Sequence, residues 1–315
     1  MNSKDYGAIF ESLVEQTAEY LVKNNLKAQI LGISGGIDST VVAAICHEVS
    51  KRTNIPLIGR SLPTKHNKED ETTTADLVGR AFCTNYKKVS IEQTYKNLAK
   101  DLYGSECALG FDEPQPTALT NGNIQARLRM IYLYNLAGMY KGLVMDTDNL
   151  TENNLGYFTI HGDVGDFNPI GGLWKTEVFE LAKWLISYYQ TNAIKTMEKS
   201  GLVDYSEWEE AVNVDSVIYA IEESLKLKPT AGLGITNNDL EELGADSYEQ
   251  VDIILKDILR WKFWNETCSW KEREYPLEDY LKEHKVENIP YVVIERVAVR
   301  HFRSEFKRKQ LPIKL

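Results

Sequence analysis

Between Leu31 and Thr40 the chain reads LGISGGIDST, which sets glycines, hydroxyls and one aspartate between an apolar segment and the apolar run VVAAICHEV. A strand that turns through glycines into a helix leaves free backbone N–H groups at the helix N-terminus, and these bind anions. Gly35 and Gly36 let the backbone approach a phosphate closely, while Ser34, Ser39 and Thr40 add hydroxyl donors. Asp38 would repel a bare phosphate, and a magnesium ion shared by carboxylate and phosphate removes that conflict. A tight turn with an Asp/Ser helix cap accounts for Gly35 and Asp38 one at a time, but not for the whole string SGGIDS. Two other phosphate loops fail on spacing. No Gly-Lys-Ser/Thr is present for a Walker A loop, and Gly32, Gly35 and Gly36 do not fit G-x-G-x-x-G.

The elements that must hold this loop follow from periodicity. Ile9, Phe10, Leu13, Val14, Ala18 and Leu21 recur at helical spacing and predict an opening helix over 4–24. Strands are expected at 28–33, 55–62, 86–91 and 143–148, and helices at 39–51, 67–83 and 123–140. Strands that alternate with helices call for crossover connections, hence an α/β fold with an open, mainly parallel sheet flanked by helices. After Asp148 a glycine- and Asx-rich loop runs to Gly172. A helical part follows, with helices expected at 174–189, 206–226, 246–264 and 289–306 and a long irregular connection at 227–244. The expected organisation is a single domain, with an α/β core at 1–185 and a mostly helical remainder at 186–315 that completes the substrate site.

Composition narrows the class. With 46 acidic against 36 basic residues the net charge is −10, which disfavours nucleic acid as a partner. No apolar run approaches a membrane span, and the four cysteines form no C-x-x-C pair, so a reducing cytoplasm is expected. From Arg296 onward seven Lys or Arg face one acid, Glu305. This reads either as a solvated basic tail or as a local site for anionic substrate.

SGGIDS resembles the S-G-G-x-D-S pyrophosphate loop of the ATP pyrophosphatases, enzymes that split ATP between the α and β phosphates. NIQARLRM (123–130) resembles the N-I-x-A-R-x-R-M helix of the NAD synthetases. The segment from Thr147 to Leu185 is similar to that family's T-D-x-x-E…G-Y/F-F-T-x-x-G-D stretch, with its P-x-G-L-x-K element at Pro169, Gly172, Leu173 and Lys175. KPTAGL, DLEELG and SEFKRKQLP match further family elements in order, so the resemblance spans Leu31 to Pro312.

The resemblance implies a Rossmann-like ATP pyrophosphatase fold and the amidation of nicotinic acid adenine dinucleotide to NAD+. The nicotinate carboxylate would attack the α-phosphate of ATP, and ammonia would then displace AMP. Asp38 and Glu152 are the implied Mg2+ ligands. Gly32, Ile33, Ser34, Gly35, Gly36, Asp38, Ser39, Thr147, Lys175 and Thr230 would contact ATP. Arg127, Asp166, Phe306 and Lys307 would hold the dinucleotide, and Asp163 would orient ammonia or take its proton, with Lys175 as the second catalytic group. Taken singly, each has a plainer reading: Arg127 as a helix-surface arginine, Lys175 as a solvated first-turn residue, Glu152 and Asp163 as loop solvators. Homodimerisation is implied by the same resemblance.

The chain departs from the family pattern at four places. Ile160 replaces the lysine before the loop Gly-Asp, and Ser61, with Arg60 one place early, replaces an arginine. Phe306 replaces a histidine, and Gly232 an aspartate. Residue 2 is Asn, no cysteine sits in a glutaminase elbow, and a glutaminase domain would need about 200 further residues, so free ammonia is the expected donor. A separate glutaminase subunit stays open as its source. Two other readings stand beside this one: a GMP-synthetase-like adenylating amidase of the same superfamily, and a nucleotide-binding module without turnover.

Overall fold

Alternation along the first strand sets the layers. In β1 (Gln29–Gly32), Ile30 joins one hydrophobic core and Leu31 the other, because successive side chains leave opposite faces of the sheet. The computed structural model describes residues 4–106, 117–200, 205–228, 239–268, 280, 281, 286 and 288–308. β2 (Leu57–Ser61), β3 (Asn85–Lys88) and β4 (Leu143–Met145) complete a sheet of order β3-β2-β1-β4 in which every pairing is parallel. The chain thus moves outward from β1 to β3 and returns to the other side of β1 as β4. In open parallel sheets the crevice at such a reversal, outside the carboxyl ends of the strands, is where ligands bind.

Helices cover both faces. α1 (Tyr6–Lys23) and α2 (Ile37–Thr53) pack on one side, together with α3 (Glu69–Phe82). α4 (Glu92–Glu106) and α5 (Ala118–Tyr140) cover the other, where Tyr95, Leu128 and Leu133 meet Ile30, Ile58 and Val144. α6 (Leu150–Leu155) and α7 (Lys175–Ser200) follow β4, and α8 (Tyr205–Lys226) adds Val217, Ala220 and Ile221 to the core of α1–α3. α9 (Asp239–Leu243), α10 (Tyr248–Cys268) and α11 (Tyr291–Arg303) enclose a separate core around Ile254, Ile258, Trp261 and Val297, and the short α12 (Glu305–Arg308) follows with no buried residue.

The open parallel sheet and the helical C-terminal part match the sequence reading, with local differences. α4 and α6 occur where no helix was expected, and the expected strand at 143–148 ends at Met145. The helix expected at 289–306 breaks at Ser304 into α11 and α12. α7 runs unbroken through residue 185, where the sequence reading puts the end of the α/β core, and α8 packs back on α3. Among the described residues no helix is long and apolar enough to cross a membrane.

Candidate active site

The loop after β1 and the segment after β4 meet at the switch point, and a cavity of about 1260 Å³ opens there. Gly36 is the N-cap of α2 and supplies no side-chain cap, so the first N–H groups of that helix are left for a ligand. The hydroxyls are partly committed. Ser39 Oγ donates to the Gly36 carbonyl at 2.9 Å and Thr40 Oγ1 donates to the same oxygen at 3.0 Å. Gly32, Ile33, Ser34, Gly36, Asp38 and Ser39 line the cavity. Gly35 does not. Its φ is +87°, and a Cβ there would stand 2.5 Å from the Glu71 carbonyl oxygen of α3. This glycine therefore serves the packing of the loop on α3 as much as any approach to phosphate.

Asp38, in the first turn of α2, points to the first residue of α7. Lys175 Nζ stands 2.5 Å from Asp38 Oδ2 and 2.9 Å from Glu152 Oε1, and only 1% of its side chain is exposed. Burial alone would lower the lysine pKa, but the two carboxylates overcome it and hold the group well above its usual value. Asn149 fixes both acids. Its Nδ2 donates to Asp38 Oδ1 at 2.9 Å, its Oδ1 accepts from Glu152 N at 3.0 Å, and its own N–H donates to Glu152 Oε2 at 3.3 Å. The last two bonds form a capping box that starts α6. Asp252 of α10 ties α6 to α7 by accepting from Thr151 Oγ1 at 2.5 Å and from Thr176 Oγ1 at 2.7 Å. Lys175 N in turn donates to Thr151 Oγ1 at 2.9 Å.

On the far wall, Asp163 lines the cavity and accepts from Thr159 N at 2.6 Å. Burial pushes its pKa up to about 6. Lys307 also lines the cavity and donates to the carbonyls of Gly156 at 2.8 Å and Phe158 at 2.6 Å, while Phe306 lines it from an exposed position. Thr147 is part of the lining. Thr230 and Gly232 lie outside the described residues.

Arg127 and Asp166 are not brought into this cavity. Arg127 is exposed on α5, and Asp166 is exposed while its carboxylate accepts from Tyr134 Oη at 3.0 Å and Val144 N at 2.9 Å. Arg129 lines the cavity instead, donating through Nε to the Leu62 carbonyl at 3.0 Å. Arg60 is 4% exposed, and its Nη1 donates to Gly59 O and Asn85 Oδ1, so its guanidinium faces β3. Asn149, Arg129 and Asp148 are the site residues the sequence reading passed over. The spacing N-x-x-E at 149–152 was a visible capping-box signal for the first of them.

Two converging carboxylates beside a helix N-terminus suit Mg2+, which takes one or two carboxylates and completes its shell with water and phosphate oxygens. The Lys175 nitrogen marks a point at which both acids already hold a positive charge. Among the described residues no group of three or more His, Cys, Asp or Glu could hold a metal without such added ligands.

The four-stranded parallel sheet with helices on both faces is the ATP pyrophosphatase fold, as in the NAD synthetases whose structures it matches. The chain itself belongs to the NAD synthase family, whose model matches residues 9–311, and is thereby a ligase that forms a carbon–nitrogen bond. An NH3-dependent NAD+ synthetase of Thermoplasma acidophilum is 30% identical over 283 residues, covering 88% of this chain and 95% of its own. A protein of the same description from Thermococcus sibiricus is 29% identical over 314 residues, covering 99% and 98%. Among solved structures, an NMN synthetase from Francisella tularensis shares the fold at TM-score 0.67 and 24% identity, covering 99% of both chains. An NH3-dependent NAD synthetase from Campylobacter jejuni aligns at TM-score 0.51 and 25% identity, covering 72% of this chain and 99% of its own.

Proposed function

We propose that this chain amidates nicotinic acid adenine dinucleotide to NAD+ with free ammonia, consuming ATP and releasing AMP and pyrophosphate. The observation that carries the reading is the Asp38–Lys175–Glu152 group at the open N-terminus of α2. A carboxylate attacking an α-phosphate brings two anions together, so the site must supply positive charge where the transition state gathers negative charge. Lys175 and the α2 N–H groups provide it from fixed positions. Asp38 and Glu152 would hold Mg2+, which supplies charge neutralisation on the phosphates when bound. Asn149 keeps both acids oriented throughout. Asp163, with its raised pKa, orients the attacking nitrogen and takes a proton from it.

The dinucleotide reading also concerns a second copy of the chain. Ile131 and Met139 are 65% and 69% exposed on α5, beside Tyr134 and Arg127 on an outward face. Side chains of this kind left on one helix face favour a partner surface. Pairing through α5 would set Arg127 and Asp166 at the seam, which gives both residues a substrate contact that the single chain does not offer them. Cytoplasmic location fits the chemistry, since ATP and ammonium are the co-substrates.

The test is incubation of the enzyme with Mg-ATP, ammonium and either nicotinic acid adenine dinucleotide or nicotinic acid mononucleotide. NAD+, AMP and pyrophosphate are expected from the dinucleotide. ADP as product, or amide formed from the mononucleotide alone, would overturn the proposal.

A further inference from the structure

Five carboxylates gather near the switch point, and four of them have partners. Asp38 and Glu152 share Lys175. Asp146 accepts from the Asp148 N–H at 2.9 Å, and Asp163 accepts from Thr159 N at 2.6 Å. Asp148 is the exception. It is 7% exposed, it lines the cavity, and its Oδ2 has no hydrogen-bond partner. Among the described residues no Lys or Arg forms an ion pair with it. The Asn168 side chain holds its carbonyl at 2.8 Å, and Asn168 Oδ1 is a second buried acceptor without a partner.

A buried carboxyl oxygen without a donor is costly to keep, and a native fold that retains one has a use for it. Most of the charge around Asp148 is negative, and Lys307 faces it across the cavity without forming an ion pair. Burial and the neighbouring Asp146, Asp163, Glu152 and Asp38 each oppose its ionisation. An occupant that relieves both the missing hydrogen bond and the crowding of negative charge is a small cation that donates hydrogen bonds. A divalent metal is better served by Asp38 and Glu152, which converge beside the N-terminus of α2 where phosphate oxygens can complete its shell.

The geometry points to Asp148 as the residue that seats the ammonium ion, between the phosphate loop and Asp163. This inference rests on free ammonia being the nitrogen donor. Ammonia in neutral water is almost wholly ammonium, so a site of negative potential gathers the form that is abundant. Asp163, on the same wall of the cavity, then meets a nitrogen already held in place.

The test is Asp148→Asn in the full chain, followed by two assays. In the first, ammonium is absent and the acid-dependent exchange of labelled pyrophosphate into ATP is measured as a readout of adenylation alone; any loss there is expected to be far smaller than the loss with ammonium, with the wild-type Mg2+ requirement. In the second, the KM for ammonium is expected to rise about ten- to a hundredfold, the value of one charge-assisted hydrogen bond. Hydroxylamine, a nitrogen nucleophile that is largely uncharged near neutral pH, should keep its wild-type KM. An unchanged ammonium KM overturns the inference. So does a parallel loss with ammonium and hydroxylamine, which marks a structural role, or a shifted Mg2+ requirement in the exchange. Should the variant not fold, potassium, a cation of similar size, is expected to compete with ammonium and not with hydroxylamine in the wild type; no competition overturns the inference. A wild type without any exchange instead removes the adenylation reading on which the inference stands.

Discussion

Lys175 Nζ lies 2.5 Å from Asp38 Oδ2, joining the first residue of α7 to the first turn of α2 across 137 positions of chain. With Glu152 on its other side, the lysine is the one cation that both acids share among the described residues. Lys175→Met keeps the volume and removes the charge. Two largely buried carboxylates then lose the cation they share, and unfolding is expected to become easier by about 3 kcal/mol in denaturant titration. Adenylation should fall by at least about a hundredfold. Unchanged stability would show that water already solvates the acids. Because the lysine pKa is raised, its contribution is complete below the ordinary lysine value near 10.4 and is lost only as pH rises through the higher folded value.

Asp163 is raised to about 6 by burial, so its carboxylate becomes available as pH passes that value. The kcat/KM of the wild type should rise through about pH 6. In Asp163→Asn that limb is expected to vanish and the plateau to lie about a hundredfold lower. A limb that persists in the variant assigns it to another group.

The same shifts act on folding with a definite sign. Burial raises Asp146 to about 7 as well, so the native state holds these protons more tightly than the unfolded chain. The resulting stability is full below the ordinary carboxyl value near 4 and is lost as pH rises through about 6 and 7. Melting temperature should therefore drop across this window, and Asp146→Asn should remove the part nearest 7. A flat profile in the wild type would contradict the assignment.

Gly35→Ala tests whether that glycine is required by packing. Its φ of +87° and the 2.5 Å approach to the Glu71 carbonyl leave no room for a methyl group. A loss of at least about 2 kcal/mol is expected from thermal or chemical unfolding, with α3 displaced. Gly36→Ala should fold normally, since its nearest contact would be the Ser34 hydroxyl at 3.4 Å.

How much of this was legible in the sequence depended on how local each signal was. SGGIDS carried the β1–loop–α2 junction because strand, turn and helix cap are encoded within ten residues. α4 was missed, although Tyr95, Leu98, Ala99 and Leu102 recur at helical spacing within it. α6 is harder, because six residues flanked by Asx and glycine read as loop until Asn149 and Asp252 are seen to hold them. Arg127 and Arg129 lie two positions apart and so on different helix faces. Which one meets the cavity depends on how α5 packs on β1 and β4, and no local pattern records that. Asp148 was hidden for a similar reason, since its lack of a partner is a property of the assembled crevice.

Ile131→Glu probes the exposed face of α5. Ile131 is 65% exposed, so the change should cost the monomer less than about 0.5 kcal/mol. Sedimentation should give a dimer for the wild type and a monomer for the variant, with a weaker KM for the dinucleotide. A variant that stays dimeric places the interface elsewhere.

The central proposal is that the substrate carboxylate is adenylated, and oxygen transfer tests it directly. The substrate acid is prepared with both carboxylate oxygens as 18O and turned over with unlabelled ATP and ammonium. If the carboxylate attacks the α-phosphate and nitrogen then displaces AMP at carbon, one 18O appears in AMP and none in pyrophosphate. Label in pyrophosphate or inorganic phosphate, or AMP free of label, would contradict the role assigned to Asp38, Glu152 and Lys175.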